Sequence, residues 1–210
     1  MAVTGLILVA FLLVHMFGNL KMFMGAEAYN EYAEWLKQEV GHPFLPYGWF
    51  IWIFRFGLLA SVVLHMYSAI TLWLRAKEAS PATYEAKKKL AQTYSARTMR
   101  WGGVILAIGL IWHLTQFTIA PTNPQNAYLS VIEAFQHWWF VLIYAAWMVT
   151  VCMHIRHGFW SAFTTLGANT SPKARVVLNG CAWVVALLLY IGFMIMPVAV
   201  LTGVLTGVQA

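Results

Sequence analysis

Five apolar stretches, at about 1–23, 47–74, 101–120, 134–166 and 176–205, make up most of this chain. Each is long enough to cross a bilayer, which takes roughly 20 residues of α-helix. In hydrocarbon every backbone N–H and C=O must be satisfied within its own segment, so such stretches are expected to be helices. The expected fold is an all-α membrane protein, a five-transmembrane-helix bundle forming a single domain over 1–210. With 61% of residues hydrophobic and only 10% charged, too little polar sequence remains for a second, water-soluble domain. The first stretch has no basic leader and runs past His15, Gly18 and Asn19 without a small-residue cleavage pattern. It is expected as a retained helix rather than a secretory signal.

The net charge of +6 is explained by its placement. The second connection holds Arg75, Lys77, Lys87, Lys88, Lys89, Arg97 and Arg100, and the fourth holds Arg156, Lys173 and Arg175. The first connection has Lys21 and Lys37 among four glutamates, and the third has Glu133 with no Lys or Arg. The positive-inside rule then places the N-terminus in the cytoplasm and the C-terminus outside. The basic connections fit anionic lipid or an acidic partner, not nucleic acid. Cys152 and Cys181 both fall within spans, without a Cys-x-x-Cys-His motif, so they are expected to be packing residues and not covalent haem anchors.

Four histidines, His15, His65, His113 and His154, lie in four different spans. An imidazole in hydrocarbon is rarely kept without a use. Depth follows from a helical rise of about 1.5 Å per residue. Counted from the cytoplasmic side, His15 and His113 fall roughly 20 Å in, in the outer half. His65 and His154 belong to helices running the other way and fall about 15–20 Å from the same side. Direction and depth therefore pair His15 with His113 and His65 with His154. Small residues one turn away, Gly18, Ser61, Ala69, Gly109 and Gly158, leave room for a flat ligand beside each imidazole. Neutral imidazole is a ligand for iron, and haem takes such axial ligands from facing helices. The competing reading is that each histidine only hydrogen-bonds a neighbouring helix.

Other polar residues fall near these four. Arg156 and His157 lie close to His154, as candidates for a haem propionate or a contact behind the ligand, and His157 is also a rival ligand. Arg55, ten residues before His65, needs a partner; an outer haem propionate is one, Glu133 or backbone carbonyls another. His42 and His137 lie near the outer boundary and are expected to be solvated or interfacial. The segment from Ala26 to Val40 has aromatic and aliphatic residues at helical spacing with glutamates between them, as in an amphipathic helix on the outer surface. The segment from Ala79 to Arg97 is expected to be a cytoplasmic loop with partial helical character. Pro121, Asn123 and Pro124 mark a short outer turn, and Gly167-Ala168-Asn169 with Pro172 stops the fourth span.

Several segments together carry a family resemblance. Met1-Ala-Val-Thr-Gly-Leu through His15-Met-Phe-Gly-Asn-Leu20 and Tyr29-Asn-Glu-Tyr-Ala33 come first. Phe54-Arg-Phe-Gly-Leu-Leu with His65 and Ser95-Ala-Arg-Thr-Met-Arg-Trp101 with His113 follow. His154-Ile-Arg-His-Gly-Phe-Trp-Ser-Ala-Phe-Thr-Thr-Leu-Gly167 is the last. In this order the chain resembles, over nearly its whole length, the cytochrome b membrane-anchor subunit of succinate dehydrogenase and fumarate reductase, of the single-chain di-haem type. One departure is that this chain begins almost within its first span, where relatives usually carry a polar segment before it.

The resemblance implies a five-helix bundle holding two b haems, the outer on His15 and His113 and the inner on His65 and His154. It implies docking to a flavoprotein subunit with FAD and an iron–sulfur subunit on the cytoplasmic face. The expected role is that of an anchor and electron-transfer subunit of a succinate:quinone oxidoreductase in the inner membrane of a prokaryote. Its substrate would be a membrane quinone, with menaquinone expected. The chain has no flavin-binding glycine fingerprint and no cysteine set for iron–sulfur clusters, so no catalytic residue for dicarboxylate chemistry is expected on it. Candidate quinone contacts are Tyr94, Ser95, Arg97 and Trp101 on the inner side, or Asn19, Gln116 and Glu133 on the outer, each of which also has an ordinary structural reading. Two alternatives use the same histidines: the cytochrome b subunit of a hydrogenase or formate dehydrogenase, and a transporter relaying protons without haem.

Overall fold

The structure, a computed structural model, describes residues 1–78 and 91–207, and the side chains of all of these except 91–98. The apolar stretches form long helices: α1 (Ala2–Leu20), α3 (Trp49–Glu78), α4 (Ala91–Leu114), α6 (Trp138–Thr165) and α7 (Pro172–Leu201). A 3₁₀ turn, Lys21–Met24, extends α1, and a π turn, Thr115–Ile119, extends α4. All five are long and apolar enough to cross a membrane, which makes the chain a multi-pass membrane protein. Two shorter helices, α2 (Ala26–Gln38) and α5 (Ala127–Phe135), lie between spans.

The ends follow local chemistry. Ser171 caps α7 by accepting a hydrogen bond from the Ala174 amide at 3.1 Å, with Pro172 just inside the helix, where a missing N–H costs nothing. Gly167, at a φ of 86°, takes the left-handed conformation that ends α6, which L residues with a Cβ rarely adopt. α2 stops at Gln38, four residues before His42-Pro43. α4 starts at Ala91, ten residues before the apolar stretch, because a helix continues into polar sequence once its apolar part is fixed.

The core lies at α6 and α7, which pack as a hairpin and carry most of the buried residues. Ala182, Ala186 and Leu189, at helical spacing on α7, are buried, presenting small residues so that the backbones approach closely. α1 packs on this hairpin and on α3, and α4 packs on α6. A Cβ at Gly192 would overlap Met16, so this glycine is what lets α7 approach α1. α3 and α4 keep few buried residues and expose Leu59, Val63, Ile70, Ile105, Ile108 and Ile111, the apolar surface that lipid would cover.

The sequence reading expected only a short turn before the fourth span. The structure instead has α5 there, and six of its nine residues are buried. Tyr128 and Ile132 are among the most enclosed side chains in the protein. α5 is tied down by polar contacts. Asn126 caps it by accepting from the Leu129 amide at 2.9 Å and takes a second hydrogen bond from Asn30 Nδ2 at 3.0 Å. Asn30 Oδ1 in turn accepts from the Tyr128 amide at 3.0 Å, and the Tyr128 hydroxyl donates to the Thr206 carbonyl at 3.2 Å. α2, α5 and the segment after α7 thus form a cap over one end of the bundle. The end of α3 with Arg75 and Lys77, the start of α4, and the α6–α7 connection with Lys173 and Arg175 at the start of α7 belong to the other, basic end.

Candidate functional site

The four histidines of the spans stand in two pairs. The rings of His15 on α1 and His113 on α4 have centroids 5.9 Å apart and planes at 79°. Those of His65 on α3 and His154 on α6 are 6.3 Å apart at 62°. The pairs are those given by depth and direction. In both, the rings meet between helices that pack little on each other: neither α1 with α4 nor α3 with α6 is among the extensively packed helix pairs of the described residues. The imidazoles therefore reach across between helices whose main packing is on other neighbours. All four are half-buried.

The surroundings of the two pairs differ. His15 stacks on Phe11, with centroids 5.3 Å apart, and touches Phe193 at 5.6 Å. His113 contacts Phe117 at 5.3 Å, Trp147 at 6.0 Å and Tyr144 at 6.2 Å. Its Nδ1 lies 3.4 Å from the Tyr144 hydroxyl, which donates to Gln116 Oε1 at 2.8 Å. Trp112 Nε1 donates to the same oxygen at 3.2 Å. In the second pair His65 Nδ1 lies 3.2 Å from the Thr4 hydroxyl, and His154 Nδ1 is buried without a hydrogen-bond partner. A hydroxyl on Nδ1 fixes an imidazole's orientation and leaves Nε2 free, the arrangement a metal-bound histidine uses.

Haem fits the spacing of these pairs. Two imidazoles on opposite sides of one metal ion, each about 2 Å from nitrogen to metal, have centroids roughly 6 Å apart. Among the described residues no three His, Cys, Asp or Glu side chains converge, and bis-imidazole ligation of a haem requires only two. The small residues behave less simply. A Cβ at Gly109 would overlap Trp147, and one at Gly18 would lie 3.1 Å from the Tyr32 hydroxyl. These glycines receive protein rings, and Trp147 Nε1 is itself buried without a partner. Nothing lies within 4 Å of a Cβ built at Gly158. Ser61 is buried, its hydroxyl bonded to the Gly57 carbonyl at 2.8 Å.

The remaining candidates are dispersed. Arg156 is directed at α7, donating to Asn179 Oδ1 at 2.9 Å with its guanidinium 5.0 Å from the Trp183 ring. Two residues along a helix is a turn of about 200°, which sets Arg156 on the far side of α6 from His154. His157 lies on an adjoining face near Trp160, 6.5 Å between centroids, so the ring brought to His65 is that of His154. Arg55 is exposed and lies against Trp52. Gln116 is half-buried in the Tyr144 network, Asn19 is half-buried and Glu133 is exposed on α5. Trp101 is 74% exposed. The side chains of Tyr94, Ser95 and Arg97 lie outside the described residues. His42 stacks on Tyr47 and His137 on Trp139, both exposed.

Sequence reasoning missed Tyr144 and Thr4, the hydroxyls on the Nδ1 atoms. Neither has a sequence signal, because each meets its histidine from another helix. The chain matches no protein-family model, no curated protein and no solved structure.

Proposed function

We propose that this chain is a di-haem membrane cytochrome b that carries electrons between a soluble iron–sulfur partner and membrane quinone, as the anchor subunit of a succinate:quinone oxidoreductase. The observation that carries this reading is the pair of histidine–histidine contacts, 5.9 and 6.3 Å between centroids, each joining two helices that pack mainly on other neighbours. His15 and His113 would hold one haem and His65 and His154 the other. Haem held by these imidazoles would supply one-electron transfer. The protein's own part is to fix and seclude the ligands. Tyr144 and Thr4 orient the imidazoles of His113 and His65 through Nδ1, and the rings of Phe11, Phe117 and Phe193 keep water from the first pair. Trp147, which fills the space beside Gly109, would have to turn aside for a haem there.

The excess of Lys and Arg at the basic end supports an orientation with that end, including the N-terminus, in the cytoplasm and the α2–α5 cap outside. The flavoprotein and iron–sulfur partners then dock beside the basic connections. Two sites at different depths also give the membrane potential a role, since one charge crossing the whole membrane exchanges about 2.3 kcal/mol per 100 mV.

The test is a reduced-minus-oxidised optical spectrum of the purified chain with haem counted per polypeptide. Two low-spin b haems are expected, one lost with His15→Ala or His113→Ala and the other with His65→Ala or His154→Ala. A folded protein without a Soret band after expression with ample haem would leave a histidine proton relay as the better reading. Loss of the same haem from His15→Ala and His65→Ala would overturn the pairing.

A further inference from the structure

A second cluster of chemistry lies where α2 meets α3, and the histidine pairs do not use it. Arg55 stands six residues into α3, about 9 Å along the helix from its start. Its guanidinium lies 5.0 Å from the Trp52 ring centroid, turned back toward the helix start as a snorkelling cation is. There it lines a cleft of 590 Å³ with Lys37, Gln38, Tyr47, Trp49 and Trp52. Tyr47, Trp49 and Trp52 are 63%, 59% and 56% exposed, and aromatic residues of this kind gather at the level of lipid headgroups. The cleft is pinned by backbone: the Gly48 amide donates to the Gln38 carbonyl at 2.8 Å, joining the end of α2 to the start of α3.

The charge of the cleft is one-sided. Glu27, Glu31 and Glu34 of α2 and Glu39 just after it all lie outside its lining, and among the described residues neither Lys37 nor Arg55 has a carboxylate partner. Beyond Trp52 the exposed apolar residues Phe56, Leu59 and Val63 continue at helical spacing down α3. Two cations at headgroup level above an apolar stripe are complementary to an anion carried on acyl chains. We propose that this cleft binds the phosphodiester headgroup of an anionic phospholipid in the leaflet on the capped side, with Arg55 and Lys37 on the phosphate and the chains along the α3 stripe. This site is independent of the haem reading.

The test uses the full chain in nanodiscs with phosphatidylglycerol or phosphatidylcholine bearing a photoreactive headgroup, with labelled peptides mapped. Each Lys or Arg near an anionic lipid is worth about fivefold in binding. Phosphatidylglycerol should therefore label residues 47–55 well above phosphatidylcholine, with a drop of about fivefold in Lys37→Gln or Arg55→Gln and roughly thirtyfold in the double variant. Labelling of the basic connection at 75–100 is the internal control and should not change. Equal labelling by the two lipids, or a double variant that labels normally, would overturn the site. Competition by millimolar inorganic phosphate would make it a site for soluble anions instead. Unchanged lipid labelling in Arg55→Gln together with a shifted haem spectrum would assign Arg55 to a propionate and remove it from the lipid.

Discussion

Around His15 and His113 five aromatic rings close on the pair, whereas around His65 and His154 the described residues supply one hydroxyl, from Thr4, and no further aromatic ring. The first pair lies nearer the end roofed by α2 and α5, the second nearer the end that carries the basic connections. A site walled by packed rings holds its geometry through the protein's own contacts, since close-packed interiors resist movement. Each site leaves one buried polar atom without a partner, Trp147 Nε1 in the first and His154 Nδ1 in the second, at about 1–3 kcal/mol each, so the difference between them lies in the packed rings. The first pair is therefore the more rigidly held by the protein's own packing, and the second the more loosely.

That contrast breaks most directly at the imidazoles themselves. In the haem-free protein, His113→Ala should destabilise the bundle by about 3 kcal/mol, the scale for emptying a ring-sized site whose walls cannot collapse. His65→Ala should cost about 1 kcal/mol or less, the ordinary scale for a loosely packed position. Denaturant unfolding in a mild detergent measures both. Equal losses would show that the aromatic box adds no rigidity and would remove the distinction between the pairs.

The roof over the first pair is the next largest contribution. Asn126→Ala removes the acceptor for both the Leu129 amide and Asn30 Nδ2, and should cost about 2 kcal/mol from a lost cap and an orphaned amide. Asn30→Ala should cost a similar amount, and the two together less than the sum, because they share one network. Hydrogen exchange should rise in α5 and stay unchanged at the basic end of α6. Additive losses, or exchange that rises at both ends, would mean that the clasp does not act as a unit confined to the capped end.

These features were unequally legible in the sequence. The five spans could be read because length and hydropathy are local properties, and the histidine pairs because helix direction and rise convert position into depth. α5 was not legible: its nine residues run almost without break into the next apolar stretch, and periodicity does not separate a short buried helix from the start of a span. The roles of Gly18 and Gly109 depend on Tyr32 and Trp147, which come from other helices. Arg156 likewise meets α7 instead of the His154 side because a two-residue offset on a helix turns a side chain away.

The smallest effect expected at neutral pH, and the one that isolates the roof, concerns Tyr29 on α2. Its ring lies 6.2 Å from that of Tyr128, within the layer that Asn30 and Asn126 hold together. Burial first, and the neighbouring Tyr32 second, push its phenol up to about 12 from an ordinary 10.0. A phenol held protonated by the fold contributes stability that is present in full below its unfolded value, near pH 10, and is lost as pH rises through the folded value, near 12. Tyr29→Phe should therefore leave neutral stability almost unchanged and flatten the part of the alkaline decline that falls between these limits. Trp fluorescence cannot follow this region alone with 11 tryptophans in the chain, so hydrogen exchange at α2 and α5 across the same pH range is the measurement. If the wild type loosens at the roof no more steeply than Tyr29→Phe, the phenol is solvated in the folded protein. The capped end would then be as open to water as the basic end, and the difference between the two histidine pairs would rest on the aromatic box alone.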